Sequence, residues 1–547
     1  MSLWGIVVYI LDYFSKETVE GLLQKWIPLN LKINLLLILI AVFICYKDFV
    51  GFAKKFVNKS GVLLPALFLI SLAIASLVAP QTHRIFYDED IYANMGQNMA
   101  LKNQTGYCNY GTFEYGEYHP HWISYNKQPS GWPFLISLVF QFFGTDERYA
   151  FFLNNVLFSA GVLVVFSITW HLCEVFFTAF IAALAFSIIP HNLIWANTAA
   201  AETSAGLLTG IVVLSLIVFL KRKKDRHLFL LMLLIPFACQ MRSESLLILG
   251  WVLISILLYS PRILAEKRLW TLGLLTTVFL LPHILHTLTV SGHSWGAEGD
   301  KFSLQFFWNN LYTNGIYYFN NRCFPVLLTV LALTGLLYPR ESYRPRFLIF
   351  LWFILFWGIF LFFYAGSYEY GADVRFSLLS FMPLSILAGI GAGFIRGKIV
   401  IRDNRYARLA SPLLILLILA GFLKFLPLVR QVGQEAWGAR HDHTYAKAFI
   451  ERIPRRSMVL TQTPTMFLVW GQNAIQTYAG INYPDLIQDL MEKYQGHVYF
   501  HYNYWCNVKS ERNRRLCKAI QSKYQLKEIV VAHEQNYIYG LYQMSFK

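Results

Sequence analysis

From Gly61 to Gly96 the chain reads "GVLLPALFLISLAIASLVAP", then "QTH", then "RIFYDEDIYANMG". The first part carries no charge and has the ~20 residues a helix needs to cross a bilayer. Just beyond it stand three consecutive carboxylates, Asp88, Glu89 and Asp90. A membrane helix that delivers the chain straight into an acidic cluster decides the class of fold. It also raises the question of what the acids do there.

The remainder of the chain repeats the apolar half of this pattern. Of 547 residues, 56% are hydrophobic, 17% aromatic and only 14% charged, against about 25% charged in soluble domains. Apolar segments recur near 31–47, 62–80, 150–170, 172–190, 203–220, 228–240, 245–259, 270–290, 323–338, 348–364, 376–395 and 410–427. The chain therefore reads as a polytopic α-helical membrane protein of about 12–13 transmembrane helices. Residues 1–14, "MSLWGIVVYILDYF", lack the charged start and small-residue cleavage site of a signal peptide. They are expected to form an interfacial helix rather than a thirteenth span.

Charge then orients the spans. One set of loops holds Lys47, Lys54, Lys55 and Lys59, then Lys221 to Arg226, then Arg262, Lys267 and Arg268, then Arg340, Arg344 and Arg346, then Arg396 to Arg408. The alternate loops are longer and hold far fewer basic residues. The positive-inside rule assigns the first set to the cytoplasm. The acidic triplet and everything after residue 428 then fall outside the cytoplasm. A net charge of +16 would suggest nucleic acid in a soluble chain; confined to alternate membrane loops it argues for no nucleic-acid partner and for membrane lipids instead.

Three outside pieces result: a long first loop, 81–149; a Trp-, Asn- and Tyr-rich loop, 291–322; and a tail, 428–547. The tail alternates β-type runs ("SMVLTQ", "HVYFHYNYW", "EIVVAHE", "YIYGLYQM") with helix-like ones ("TYAKAFIERI", "YPDLIQDLMEKY"), as in a small α/β domain. The expected division is an N-terminal segment and extra helix, 1–61, a transmembrane module, 62–427, and an extracytoplasmic α/β domain, 428–547. Cys506 and Cys517 share that tail, where a disulfide persists if it forms. No Walker-type or GxGxxG loop appears.

Five constellations carry chemistry. In the triplet, Asp88 or Asp90 is expected to cap a helix, with Ile91, Met95 and Met99 as an apolar stripe lying on the membrane. One cap leaves carboxylates over, and an acid at a membrane boundary is a better base. Asp90 and Tyr92 stand beside the pair Asp88-Glu89. In "YNKQPSGWPF", Lys127 precedes a turn and an interfacial helix. Glu202 opens a span. Arg242 and Glu244, in "CQMRSESLL", join two short spans and lie at membrane depth, where charges are costly. Arg375, with Asp373, opens another span. All five fall on one expected outer face. "HPH" (His119, His121) and "HDH" (His441, Asp442, His443) lack a ligand spacing such as HExxH and read as surface polar sequence. No metal or other cofactor is expected.

With these residues in order, the chain resembles the GT-C superfamily of integral-membrane glycosyltransferases. It is most similar to the protein O-mannosyltransferase group and the related lipid A aminoarabinose transferases. The likeness covers roughly residues 60–395. It rests on Asp88-Glu89 in the first long loop, the proline segment Lys127 to Pro133 with Gly144 beyond it, Glu202, the Arg-x-Glu element Arg242–Glu244, and Arg375-Phe376 ahead of Pro383. Gln128-Pro129 replaces the common Pro-Pro, an extra span precedes the usual first one, and the tail matches only in position and size.

The resemblance implies an inverting transfer of a sugar from a polyprenyl-phosphate donor to an acceptor hydroxyl on a glycan, lipid or protein, at the outer face of the plasma (inner) membrane. It implies Asp88 as general base and Glu89 as the group that orients the acceptor or Asp88. Arg242, Arg375 and Lys127 would hold the donor phosphate. Asp90, Tyr92, Glu202 and Glu244 would support them. A lipid-linked oligosaccharide ligase or polymerase shares this location and donor class. A transporter would show repeated halves and midplane charges; the sequence shows no repeat.

Overall fold

The computed structural model describes residues 13–60, 62–293, 297, 299–338, 344–369, 371–402, 404–435, 438–508 and 511–547. Residues 1–12, most of the expected interfacial segment, lie outside the described residues, as does Arg340. The chain divides into two units: residues 1–82, 127–132 and 151–434 in the first, and 83–126, 133–150 and 435–547 in the second.

The first unit is helical. The twelve apolar segments are largely helical, although 172–190 is broken on either side of the helix Phe176–Ser187. Among the described residues, seven helices are long and apolar enough to cross a membrane, or up to eight if the bent pair Phe176–Ser187 and Pro190–Ala196 is one span. The others are shorter: Leu63–Val78, Ser243–Tyr259 and Val326–Leu337, and Asp225–Cys239. This is a multi-pass membrane protein.

Small residues let its helices approach closely. A methyl group at Gly391 would lie 1.9 Å from the Leu331 carbonyl oxygen, and one at Gly335 would lie 2.1 Å from that of Leu387. Here the backbones of Val326–Leu337 and Phe381–Arg402 touch, as small-residue interfaces allow in lipid. On the outer helices, Leu39, Phe43, Leu413 and Leu416 stay exposed, which suits lipid contact.

The second unit is built on a seven-stranded sheet of order β2-β1-β4-β3-β5-β7-β6. Its strands are β1 (Tyr107–Glu114), β2 (Glu117–Ser124), β3 (Met458–Thr461), β4 (Asn473–Gln476), β5 (Val498–Tyr502), β6 (Tyr524–Glu534) and β7 (Tyr537–Phe546). β3 pairs in parallel with β4 and β5 at the centre. The other pairings are antiparallel.

Strand period 2 fills both faces. Met458, Leu460 and Phe500 belong to one apolar cluster; Val459, Tyr499 and Leu541 belong to the other. Two strands of this sheet come from the first long loop: β1 joins β4 through Tyr110 opposite Ile475 and Gly111 opposite Ala474. Cys506 and Cys517 form a disulfide, Cα atoms 5.7 Å apart, in the first of these clusters.

Candidate functional site

The expected site residues fall in both units, and each group is built by its own unit. In the helical unit, Glu202 begins the helix Glu202–Arg222 and is 1% exposed. The turn before it is pinned. Asn154 Nδ2 donates to the carbonyls of Thr198 and Ala200, Trp132 Nε1 donates to that of Ala199 at 2.7 Å, and Asn155 Nδ2 donates to Asn197 Oδ1. Glu202 Oε1 receives the Arg242 guanidinium, and Arg375 Nε lies 3.1 Å from the same oxygen. Arg242 also donates to Glu244. Both guanidiniums lie against the ring of Phe376, 5.7 Å from its centroid for Arg242 and 4.8 Å for Arg375. Ring and carboxylate thus hold two like charges side by side.

The proline segment is braced against the same turns. The Gly131 N–H donates to the Gln240 carbonyl at 2.9 Å, two residues before Arg242. A methyl group at Gly131 would lie 2.5 Å from that oxygen, so only glycine fits. The backbone at Lys127 is hydrogen-bonded to the His286 side chain. The three cations expected to hold an anion, and the two acids expected to support them, therefore belong to one connected set of turns.

The acidic triplet belongs to the second unit. The helix Asp88–Lys102 starts at the triplet itself, with Tyr87 at its N-cap and no side-chain cap. This corrects the expected cap by Asp88 or Asp90: all three acids lie in the first turn, where they face the positive end of the helix dipole. Met95 and Met99 are each 1% exposed. These two residues of the stripe expected to lie on the membrane are buried within protein, while Ile91 is half-buried; on the same helix Gln97 bonds to the Leu468 carbonyl and Asn94 accepts the Cys108 N–H. Tyr92 is also buried.

The three acids differ. Glu89 is fully buried; its Oε1 accepts the backbone N–H groups of Arg84 at 2.7 Å and Ile85 at 2.8 Å. Its Oε2 lies 3.1 Å from His83 Nδ1. Burial would raise its pKa, but His83 and these N–H groups outweigh it and hold the carboxyl below its ordinary range. Glu89 thus ties down the loop that carries Asp88. Asp90 is 3% exposed, its Oδ1 4.0 Å from His83 Nε2 and 3.5 Å from His443 Nε2. Asp88 is half-buried, and among the described residues its carboxylate has no hydrogen bond or ion pair.

Histidines hold the rest of this unit's polar interior. Burial would lower the His83 pKa; Asp90, Glu147 and Glu89 together outweigh it and raise it well above the imidazole range. His443 shifts upward against burial in the same way, through Asp90 and Glu147. Asp442, fully buried, accepts the Tyr87 hydroxyl and lies 3.2 Å from His501 Nε2. "HDH" is therefore not surface sequence. It lies on the helix Ala439–Ile450 with Asp442 and His443 turned into the domain. Sequence spacing missed it because the partners, at residues 83, 87, 147 and 501, are remote in the chain. A cavity of about 900 Å³ in the same unit is lined by Glu147, Lys447, Trp470, Tyr118 and Arg148, among others.

No protein-family profile matches the sequence, and no curated protein is significantly similar to it. Solved structures do match. ArnT from Cupriavidus metallidurans, bound to undecaprenyl phosphate, aligns over 88% of this chain and 98% of its own, at 12% identity and a TM-score of 0.56. The Archaeoglobus fulgidus oligosaccharyltransferase, tethered with an acceptor peptide, aligns over 89% of this chain and 74% of its own, at 11% identity and a TM-score of 0.52. The chain thus shares the fold of these two structures, a helical membrane unit with a further domain, in keeping with the sequence resemblance.

Proposed function

We propose that the protein is a polyprenyl-phosphate-dependent glycosyltransferase, resembling the protein mannosyltransferases, that acts at the extracytoplasmic face. The acceptor hydroxyl attacks the anomeric carbon, the bond from that carbon to the phosphate oxygen breaks, and polyprenyl phosphate leaves. The hydroxyl proton passes to Asp88, and the anomeric centre inverts. The observation that carries this reading is the division among the three acids. Glu89 and Asp90 are buried among partners, whereas the half-buried Asp88 carboxylate has no hydrogen bond or ion pair among the described residues, as suits a general base.

Arg242 and Arg375 supply fork-shaped donors suited to a phosphate, with Lys127 as a point charge. Glu202 and Glu244 aim the two guanidiniums. Glu89 positions Asp88 through the loop, with Asp90 and Tyr92 buried in the same helix in support. The undecaprenyl phosphate bound to ArnT supports the donor class.

The test compares wild type with Asp88→Asn in nanodiscs against a panel of radiolabelled polyprenyl-phosphate sugars. Loss of about 10²–10⁴-fold in transfer, with an unchanged melt, is expected for a missing base. Equal rates in the two proteins would overturn the assignment.

A further inference from the structure

Two imidazoles and two carboxylates converge inside the second unit. His83 Nε2 is 3.2 Å and His443 Nε2 3.4 Å from the same oxygen of Glu147, Oε2. The three ligand atoms lie within 4.8 Å of one another. In a tetrahedral zinc site, bonds of about 2.0–2.1 Å set neighbouring donors roughly 3.3–3.4 Å apart. Asp90 Oδ1 approaches both imidazoles, while its buried Oδ2 has no hydrogen-bond partner among the described residues.

His83 carries a further mark of a metal ligand. Its Nδ1 is engaged by Glu89, whose other oxygen is fixed by two backbone N–H groups. That arrangement sets the tautomer and turns Nε2 inward, as the carboxylate–histidine pairs behind metal ligands do. The other charges nearby are accounted for. Lys447 lies 2.5 Å from the remote oxygen of Glu147, and the Arg84 and Arg440 charges act on the Glu89 side. Neither charge sits on the Asp90 and Glu147 oxygens that face the imidazoles; Trp470 Nε1 donates to Glu147 Oε2 at 3.1 Å, and a carboxylate oxygen has a second lone-pair site for a cation.

We propose that His83, His443 and Glu147, with Asp90 as fourth ligand, bind one divalent transition cation, and that zinc suits this mixed nitrogen and oxygen set best. The ligands come from both ends of the first long loop and from the helix Ala439–Ile450, so the cation would staple the loop to the domain that shares its sheet. This proposal does not rest on the glycosyl-transfer reading.

The test uses the full chain in detergent, stripped with a chelator and re-equilibrated with Zn²⁺, then desalted for metal analysis. Binding of about one equivalent, a melt raised by several degrees and reversed by chelator, and a visible Co²⁺ ligand-field spectrum are expected. His443→Ala and Glu147→Gln should abolish all three, while His121→Ala, at an exposed histidine on β2, should change none. If the variants fail to fold, the wild-type melt and Co²⁺ spectrum decide alone. Absence of bound metal, melt shift and spectrum from folded wild type would overturn the site, as would unchanged binding in a folded His443→Ala protein. The cluster would then be a hydrogen-bonded network.

Discussion

The helical unit and the sheet unit each bury a polar cluster, and they solve the cost of doing so differently. In the helices, two arginines are answered by Glu202 and Glu244 and stacked on one aromatic ring. A guanidinium brings five N–H donors and no acceptor, so this cluster is one of donors held by carboxylates. In the sheet unit, histidines stand between carboxylates, and an imidazole nitrogen can act as donor or acceptor according to its partner. The first cluster offers donors alone, whereas the second offers donors and acceptors whose roles are set by their neighbours.

Breaking the fixed cluster should have the largest effect. Arg242→Ala leaves Glu202 buried with half its compensation, and about 3–5 kcal/mol of stability should be lost, read as a lowered melt in nanodiscs. Arg375→Lys sharpens the point. It keeps the charge but loses the fork, so donor KM should rise with little change in the melt.

Helix packing offers a scale for comparison. Gly391→Val forces a side chain into the Leu331 carbonyl and should cost ~1–3 kcal/mol or more, seen as the same kind of melt shift. In the sheet unit, Tyr87→Phe removes the donor to Asp442. A loss of about 1.5–3 kcal/mol is expected for a hydrogen bond to a charged group. Glu114→Gln should do least. Its pair with Lys493 is part-exposed, and surface pairs contribute ~0–1 kcal/mol. A Glu114 effect as large as that of Arg242 would erase the distinction drawn between the clusters.

Helices were legible wherever local composition decided them: the twelve apolar segments are largely helical, and the breaks within 172–190 were not foreseen. Arg242, Glu202 and Arg375 were legible as a group because charge inside apolar sequence is conspicuous. The burial of Met95 and Met99 was not, because a stripe spaced by four looks the same against lipid and against protein. Nor was the pairing of "CNYG", in β1, with the tail, since nothing local to residues 107–114 names a partner at Ile475. His83 was not singled out, and His443 was read as surface sequence, for the same reason: partners drawn from distant segments leave no spacing to read.

The shared sheet has a consequence for how the chain is made. The hydrogen bond from Phe113 to Asn473 closes a separation of 360 residues. The β1–β2 hairpin is therefore synthesised early, and the ribosome must deliver the whole series of later membrane helices before β4 exists. Throughout that interval β1 presents an open edge, the feature that invites wrong pairing. The sheet can close only after those helices have been made, and a chain arrested among them would expose an unpaired hairpin, ready for a chaperone or for aggregation.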